Sequence, residues 1–207
     1  MEDLPLPQRV AAALWAEAEP RLAGRPRPPR PLLLVMVGVP LSGKSTLARA
    51  LAEQAGAATL RVENDAVRPH VAAALGQPAV TYEGPENLLT YQTARTLLER
   101  ALWAGMNAIH DGTNLNEGAR RGAYAAAQAA GAEVVVLFVL TDPGEVARRA
   151  ATHPPERQAA HAKLGRKRPN PAACSLPHLV LDGARPVAEL LEALRADFRF
   201  GPFFNSP

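Results

Sequence analysis

Cysteine, aromatic residues and long apolar runs are all scarce in this sequence. One cysteine, Cys174, stands among 207 residues, which excludes an internal disulfide framework and a cysteine-rich zinc site. No apolar run is long enough to span a bilayer, and the N-terminal MEDLPLPQRV lacks the hydrophobic stretch of a signal peptide. We therefore predict a cytoplasmic protein that has no membrane segment.

What the sequence does contain is the composition of a globular protein. It is 47% hydrophobic and 21% charged, a balance that favours one substantial core and one domain rather than two. The net charge of +3 is compatible with an anionic ligand, although ordinary surface lysine and arginine explain it equally well. Aromatic residues make up only 5%, and we find no basic groove interleaved with aromatics of the kind that often binds single strands.

The first 31 residues divide into a helix and a linker. Residues 1–20 have the apolar spacing of a short amphipathic helix, with Val10, Leu14 and Trp15 on its apolar side. The segment RLAGRPRPPRP (21–31) is rich in arginine and proline, and proline cannot donate to a helix or a sheet, so we predict an extended linker. Its arginines could contact a polyanion, but a solvated linker is favoured.

From residue 32 onwards, strand and helix patterns alternate. This alternation predicts a parallel sheet with helices on both faces. The predicted strands are 32–37, 58–64, 107–112, 133–140 and 178–183. The predicted helices are 44–55, 65–75, 85–104, 116–131, a helix opened by Asp142 and Pro143, and 185–197.

The first strand leads into a phosphate-binding loop. Its residues Gly38, Gly43, Lys44 and Ser45 satisfy G-x-x-x-x-G-K-[ST] between a strand and a helix. Glycine permits close approach of the backbone, and the N–H groups at the helix start attract phosphate oxygens. The lysine reaches the β- and γ-phosphates, and the serine hydroxyl serves Mg²⁺. We predict a site for a nucleoside triphosphate with Mg²⁺, and expect Ser42 and Thr46 to contact ATP as well.

An acid and an arginine follow the second strand. Asp65 and Arg68 are three residues apart at the start of a helix and therefore share a face. Ligands of an open parallel sheet bind at the carboxyl ends of its strands, which places this pair beside the phosphate-binding loop. There an acid can accept the proton of an attacking hydroxyl, and an arginine can hold an anionic group. The alternative for Asp65 is a helix N-cap.

The third strand ends in IHDGTNLN, which supplies a second carboxylate. Asp111 directly follows the strand, where folds of this kind place an acid near Mg²⁺ or its waters. Turn and cap chemistry alone is an open alternative for Thr113, Asn114 and Asn116. His110 alternates with apolar residues on a short strand, which favours packing over catalysis.

Three segments together resemble one family. GVPLSGKST, ENDAVR and HDGTNLNEGARR are similar to the P-loop kinases related to polynucleotide 5′-hydroxyl kinase, whose wider relatives include zeta toxins and kinases for chloramphenicol or gluconate. The resemblance covers about residues 32–195. It implies an ATP-dependent phosphotransferase with the three-layer α/β fold of P-loop NTPases. The sheet would be parallel and five-stranded, in the order 2-3-1-4-5, with helices on both faces and a mobile lid.

The resemblance also implies roles on the acceptor side of this site. Asp65 would be the general base on the acceptor hydroxyl, and Arg68 would contact the substrate or a phosphate. The acceptor site would be organised by Asp111 and Asn114 and braced by Arg120 or Arg121.

A lid with arginines that close over the phosphates is a further feature of the family. We place it at about residues 148–177, with Arg149 as a catalytic candidate and Arg148 and Arg157 as ATP-binding candidates. A common lid pattern has two arginines four apart, but here His153 stands four residues after Arg149. Arg157 would then replace the second arginine.

We divide the chain into an N-terminal helix with its linker (1–31) and a kinase domain (32–207). The expected reaction transfers the γ-phosphoryl group of ATP to a substrate hydroxyl, with a polynucleotide 5′-hydroxyl as the first acceptor. The alternatives are a small acceptor (a sugar, an antibiotic or a nucleotide-sugar) and a non-catalytic ATP-binding adaptor. The phenylalanines of FRFGPFFNSP (198–207) either pack on the body or contact a partner, and no oligomeric state is predicted.

Overall fold

A five-stranded parallel sheet forms the centre of the protein. The computed structural model describes residues 3–152 and 168–204. The strands are β1 (Leu32–Val37), β2 (Thr59–Glu63), β3 (Asn107–Asp111), β4 (Glu133–Leu140) and β5 (His178–Asp182). They lie in the order β2-β3-β1-β4-β5, and all four pairings are parallel. The predicted sheet and its order are confirmed.

Helices cover both faces of this sheet. They are α1 (Leu6–Leu22), α2 (Lys44–Gln54), α3 (Asn64–Ala74), α4 (Gly84–Trp103), α5 (Glu117–Ala129), α6 (Pro143–Ala150), α7 (Val187–Ala196) and α8 (Gly201–Phe204). Apolar residues of α1, α3, α4 and α5 form the core on one face, and those of α2, α7 and α8 form it on the other. All six residues of β1 are buried because this central strand is covered on both sides.

The predicted N-terminal helix is present and shares the core of the sheet. Val10, Ala11 and Trp15 are buried in the cluster that also contains the apolar residues of α3 and α4. The proline-rich segment that follows runs along the body, where the Ala58 N–H donates to the Pro26 carbonyl over 2.8 Å. The helix is therefore packed on the α/β body rather than held away from it.

The C-terminal phenylalanines pack against the body in the described residues. Phe200 and Phe203 are buried beside α2 and α7, whereas Phe198 is 87% exposed. The backbone of Phe203 also accepts a 3.0 Å hydrogen bond from Gly56. Of the two readings left open by the sequence, packing on the body is the one observed for these two rings.

Two predicted helix caps are confirmed. Asn116 accepts a hydrogen bond of 2.9 Å from the Ala119 N–H at the start of α5. Asp142 accepts one of 2.7 Å from the Gly144 N–H at the start of α6. Within residues 3–152 and 168–204, no helix is long and apolar enough to cross a membrane.

Candidate functional site

The phosphate-binding loop connects β1 to α2 and depends on two glycines. Gly43 has φ +92°, a left-handed conformation that other residues adopt at a cost. A Cβ atom on Gly38 would lie 2.4 Å from Ser42 Oγ and 2.7 Å from the Val139 carbonyl oxygen. The Gly38 N–H donates to the Thr113 carbonyl over 3.1 Å, which ties the loop to the turn after β3.

The start of α2 offers unpaired donors to a ligand. Its N-cap, Gly43, provides no side-chain cap, so the first N–H groups of the helix are left for another acceptor. Lys44 is the first residue of the helix, and among residues 3–152 and 168–204 its ammonium group has no partner. Ser42 is fully buried, and its hydroxyl has no hydrogen bond within the described residues. Together these groups favour an anionic ligand at the loop.

A hydroxyl and a carboxylate meet at the end of this loop. Ser45 Oγ donates to Asp111 Oδ1 over 2.9 Å, and the Asp111 side chain is almost fully buried at the end of β3. The other oxygen of Asp111 accepts from Arg61 Nε over 3.1 Å. The two residues predicted to serve Mg²⁺ are thus brought together. Arg61, which also pairs with Glu63, was missed, because its contact depends on the alignment of β2 with β3.

Asp65 lies at the start of α3, next to the end of β2. Its side chain is 73% exposed, and its Oδ1 atom is 3.8 Å from Arg68 Nε. The helix begins at Asn64 after Glu63 and has no side-chain cap, so the N-cap alternative for Asp65 is wrong. His110 is buried nearby, 3.3 Å from the Asn64 side-chain oxygen, and burial lowers its pKa to about 4. The packing of His110 expected from the sequence is confirmed.

Arg68 is buried in an ion pair with a carboxylate that the sequence analysis missed. Its Nη1 atom donates to Glu86 Oε1 over 2.8 Å and to Asn87 Oδ1 over 2.6 Å. Its Nε atom is buried and has no hydrogen bond within the described residues. Glu86 is fully buried and accepts further hydrogen bonds from Thr81 and Tyr82.

The environment of Glu86 stabilises its charged form. Burial alone would raise the pKa of this carboxyl. Hydrogen bonds from the Thr81 backbone, from Arg68 and from the Thr81 hydroxyl outweigh that effect and lower the pKa to about 2. The carboxylate therefore stays ionised and paired with Arg68. No residue pattern indicates this pair, because 18 residues and an irregular loop separate its partners.

Asn114 and Arg120 are both buried and bonded to the protein itself. Asn114 Nδ2 donates to the Met36 carbonyl over 2.9 Å, and Arg120 Nη1 donates to the Asn114 carbonyl over 2.7 Å. Arg120 Nε also donates to Tyr124 Oη over 2.8 Å. These bonds fix the turn after β3 against the end of β1, directly below the phosphate-binding loop.

Of the predicted lid arginines, Arg149 contacts the phosphate-binding loop. Its Nη1 donates to the Leu41 carbonyl and its Nη2 to the Gly183 carbonyl, each over 3.0 Å. Arg148 is exposed and shares Glu145 with Arg149. Arg157 and the rest of the predicted lid between residues 153 and 167 lie outside the described residues.

The loop after β5 approaches the phosphate-binding loop so closely that only glycine fits. A Cβ atom on Gly183 would lie 2.0 Å from the Ser42 carbonyl oxygen and 2.4 Å from Thr141 Oγ1.

We expect Gly183→Ala to displace the phosphate-binding loop, to destabilise the fold by about 1–3 kcal/mol, and to weaken ATP binding. Calorimetric titration with Mg–ATP and thermal unfolding measure both effects. Gly24→Ala is the control, because no atom lies within 4 Å of its Cβ position; unchanged ATP affinity in Gly183→Ala would contradict the prediction.

A small cavity lies elsewhere in the molecule. Its volume is about 110 Å³, and its lining includes Leu32, Asn107 and Glu133, the first residues of β1, β3 and β4. It is therefore at the amino ends of the strands, at the opposite edge of the sheet from the phosphate-binding loop, and it is not part of the candidate site.

Several solved structures have the same fold. A putative kinase from Chloroflexus aurantiacus aligns with 83% of this chain and 98% of its own, with 18% identity and a TM-score of 0.58. A sugar kinase from Janibacter sp. HTCC2649 aligns over 84% and 97%, with 20% identity and a TM-score of 0.58. The APS kinase from Mycobacterium tuberculosis, solved with AMPPNP and APS, aligns over 81% and 96%, with 20% identity and a TM-score of 0.58. These similarities show the α/β fold of P-loop kinases.

Sequence comparison gives the family. No curated protein sequence matches the chain. One family model, described as AAA domain, matches residues 33–168, which run from β1 past α6 and include the phosphate-binding loop, Asp65 and Asp111. Since this match covers well over half of the chain, the protein belongs to the AAA domain family, and its fold is that of the P-loop kinases.

Proposed function

We propose that the protein transfers the γ-phosphoryl group of ATP to a hydroxyl group of an acceptor. The observation that carries this proposal is the hydrogen bond from Ser45 to Asp111 beside Lys44, with the exposed Asp65 carboxylate just after the neighbouring strand. In the part of the chain that the structure describes, the Lys44 ammonium group has no partner. The first three groups suit a nucleotide donor, and the fourth suits an attacking hydroxyl. Membership of the AAA domain family and the kinase fold support the same reading.

On the donor side, the loop residues bind the phosphates. The N–H groups of the loop and of the start of α2 donate to phosphate oxygens, and Lys44 places its charge on the β- and γ-phosphates. The hydroxyl of Ser45 and the carboxylate of Asp111 are hard oxygen ligands that fit Mg²⁺, which takes its other ligands from phosphate and water. Bound there, Mg²⁺ would neutralise charge on the phosphate oxygens. Arg61 holds the orientation of Asp111 through its second oxygen.

On the acceptor side, Asp65 accepts the proton of the hydroxyl as its oxygen attacks the γ-phosphorus. The bond from that phosphorus to the bridging oxygen breaks, and ADP leaves. The exposure of Asp65 leaves room for an acceptor beside it. Arg68 holds the first turn of α3 in place through Glu86, and its contact with the substrate or a phosphate remains a proposal.

Buried residues position this site, and further arginines are proposed to contact the phosphates. We assign Asn114 and Arg120 to positioning, because both side chains are almost fully buried and hold the turn after β3. We assign Arg149 to the phosphate side, because its guanidinium group lies against the backbone of the phosphate-binding loop. Arg148 and Arg157 remain proposed ATP contacts of the lid.

The acceptor that we place first is a polynucleotide 5′-hydroxyl. The second is a small molecule, which the fold shared with a sugar kinase and an APS kinase favours. A non-catalytic ATP-binding adaptor is the remaining reading, and it requires ATP binding without transfer to any acceptor.

Incubation with γ-labelled ATP tests the proposal. We expect label on a 5′-hydroxyl oligonucleotide in the presence of Mg²⁺, and no label with the Lys44→Ala variant or with a 5′-phosphorylated oligonucleotide. If no oligonucleotide is labelled at any salt concentration, a panel of sugars, nucleosides and antibiotics is assayed in the same way. ATP binding without label on any acceptor would refute phosphotransfer and leave the adaptor.

A further inference from the structure

Tyr82 has a backbone conformation that a bulky side chain rarely adopts. Its φ angle is +60°, in the left-handed region, where a residue with a large side chain pays a conformational cost. Two side chains of α4 hold it there: the Tyr82 N–H donates to Glu86 Oε1 over 3.2 Å, and Asn87 Nδ2 donates to the Tyr82 carbonyl over 2.5 Å. Both polar groups of the Tyr82 backbone are therefore fixed from the same helix.

The ring of Tyr82 packs on Arg68, the residue that pairs with the proposed general base. The guanidinium carbon of Arg68 lies 4.5 Å from the ring centroid, a cation–π contact. Arg68 is itself fixed by Glu86 and Asn87, and its Nε atom is 3.8 Å from the Asp65 carboxylate. One rigid support thus carries the ring and the carboxylate together, and the tyrosine nevertheless remains 50% exposed.

This arrangement goes beyond what the loop needs for stability. A glycine or an asparagine would adopt the left-handed conformation at less cost, and an exposed aromatic ring gains little from burial. Strain that the surrounding structure enforces is found mainly at functional sites. The result here is a half-exposed planar ring that packs on the same arginine that pairs with Asp65.

We propose that Tyr82 binds the acceptor by stacking, and that its partner is the 5′-terminal base of a polynucleotide. This inference rests on the proposed function and specifies the acceptor for the same site. Every base has a face that can stack, so one tyrosine selects a strand end without selecting its sequence. A single ring also agrees with the small number of aromatic residues in the chain, since only the terminal nucleotide needs a platform.

Two oligonucleotides that differ only in the terminal base test this inference. Both keep the 5′-hydroxyl and carry a fluorophore at the 3′ end, but in one of them the 5′-terminal nucleotide has no base. Binding is measured by fluorescence anisotropy in the presence of AMPPNP and Mg²⁺. For the wild-type protein we expect the base-bearing strand to bind about tenfold more tightly, the effect of one stacked base.

Three variants distinguish an effect of the Tyr82 ring on binding from an effect of the loop conformation. Tyr82→Gly removes the ring and suits the left-handed backbone, so it should abolish the preference for the base without straining the loop. Tyr82→Phe should keep the preference, and Tyr91→Ala, which removes a partly exposed tyrosine of α4, should also keep it. ATP affinity should be equal in all four proteins, since none of these side chains belongs to the phosphate-binding loop.

Equal binding of the two strands by the wild-type protein, no binding of either, or a preference that survives in Tyr82→Gly would overturn the inference. These results can be told apart from failure of the proposed function. Label transfer at equal rates to both strands would uphold phosphotransfer and refute stacking. A base preference that depends on Tyr82, without transfer of label, would uphold stacking and refute phosphotransfer.

Discussion

Asp65→Asn is expected to lower kcat for phosphoryl transfer by about 100- to 10,000-fold, the usual contribution of a general base, and to leave ATP binding unchanged. Asparagine has nearly the same size but cannot accept a proton from the attacking hydroxyl. The carboxylate is exposed and, among the residues that the structure describes, makes a single ion pair of 3.8 Å, so its replacement disturbs little of the fold. Steady-state kinetics with the labelled acceptor and calorimetric titration with ATP measure the two effects.

Two further variants locate the effect of this substitution. Lys44→Ala should show the opposite pattern, with ATP binding lost, because the lysine contacts the phosphates and not the acceptor. Glu189→Gln is the control for charge: it also removes an acid from the first turn of a helix, α7, where a negative charge is slightly favourable. Phosphoryl transfer should be unchanged in this variant. Near wild-type transfer by Asp65→Asn, with ATP still bound, would show that the base is another group.

Glu86→Ala is expected to reduce the free energy of unfolding by about 3–5 kcal/mol, the cost of leaving a buried charge without its partner. Arg68 would keep its charge inside the protein, and Thr81 and Tyr82 would lose the acceptor of their hydrogen bonds. Urea denaturation measures the loss. Glu99→Ala is the matched control on the same helix, where the partly exposed pair with Arg95 should contribute at most about 1 kcal/mol.

The low pKa of Glu86 gives this prediction a dependence on pH. The pKa of this carboxyl is about 2 in the folded protein and 4.5 for an ordinary glutamate, so the folded state favours the ionised form. Its contribution to stability, on the order of 3 kcal/mol, is complete above the unfolded pKa and is lost as the pH falls towards the folded one. The difference in unfolding free energy between wild type and Glu86→Gln should therefore shrink below about pH 4.5. A difference that is constant from neutral to acid pH would contradict the low pKa.

The parts of the site that could be predicted from the sequence are those fixed by local spacing. The phosphate-binding loop is a short motif between a strand and a helix, and its glycines have the positive φ angle and the close contacts that the motif requires. Asp111 is the last residue of β3, Asp65 comes two residues after the end of the neighbouring β2, and the carboxyl ends of such parallel strands meet at one edge. Chain order and periodicity were sufficient for these assignments.

The remaining contacts join residues that are far apart in the chain and follow no repeat. Arg61 meets Asp111 across 50 residues because β2 and β3 align in one register, which the sequence does not specify residue by residue. Arg149 donates a hydrogen bond to the Gly183 carbonyl. Every residue has a backbone carbonyl, so the sequence cannot indicate which one accepts this bond. The sequence indicates Arg68 as a candidate site residue. It does not indicate the partner of Arg68, because Glu86 lies beyond an irregular loop.

The charged pair on β2 has a consequence for the behaviour of the protein at high concentration. In the order β2-β3-β1-β4-β5, β2 is an outermost strand, and the free backbone groups of such a strand can pair with a strand of another molecule. Two of its five positions carry the charges of Arg61 and Glu63. Charge on an edge strand opposes such pairing, so Arg61, which orients Asp111, and its partner Glu63 also oppose aggregation. An apolar residue at position 61 would therefore cost both the alignment of Asp111 and solubility.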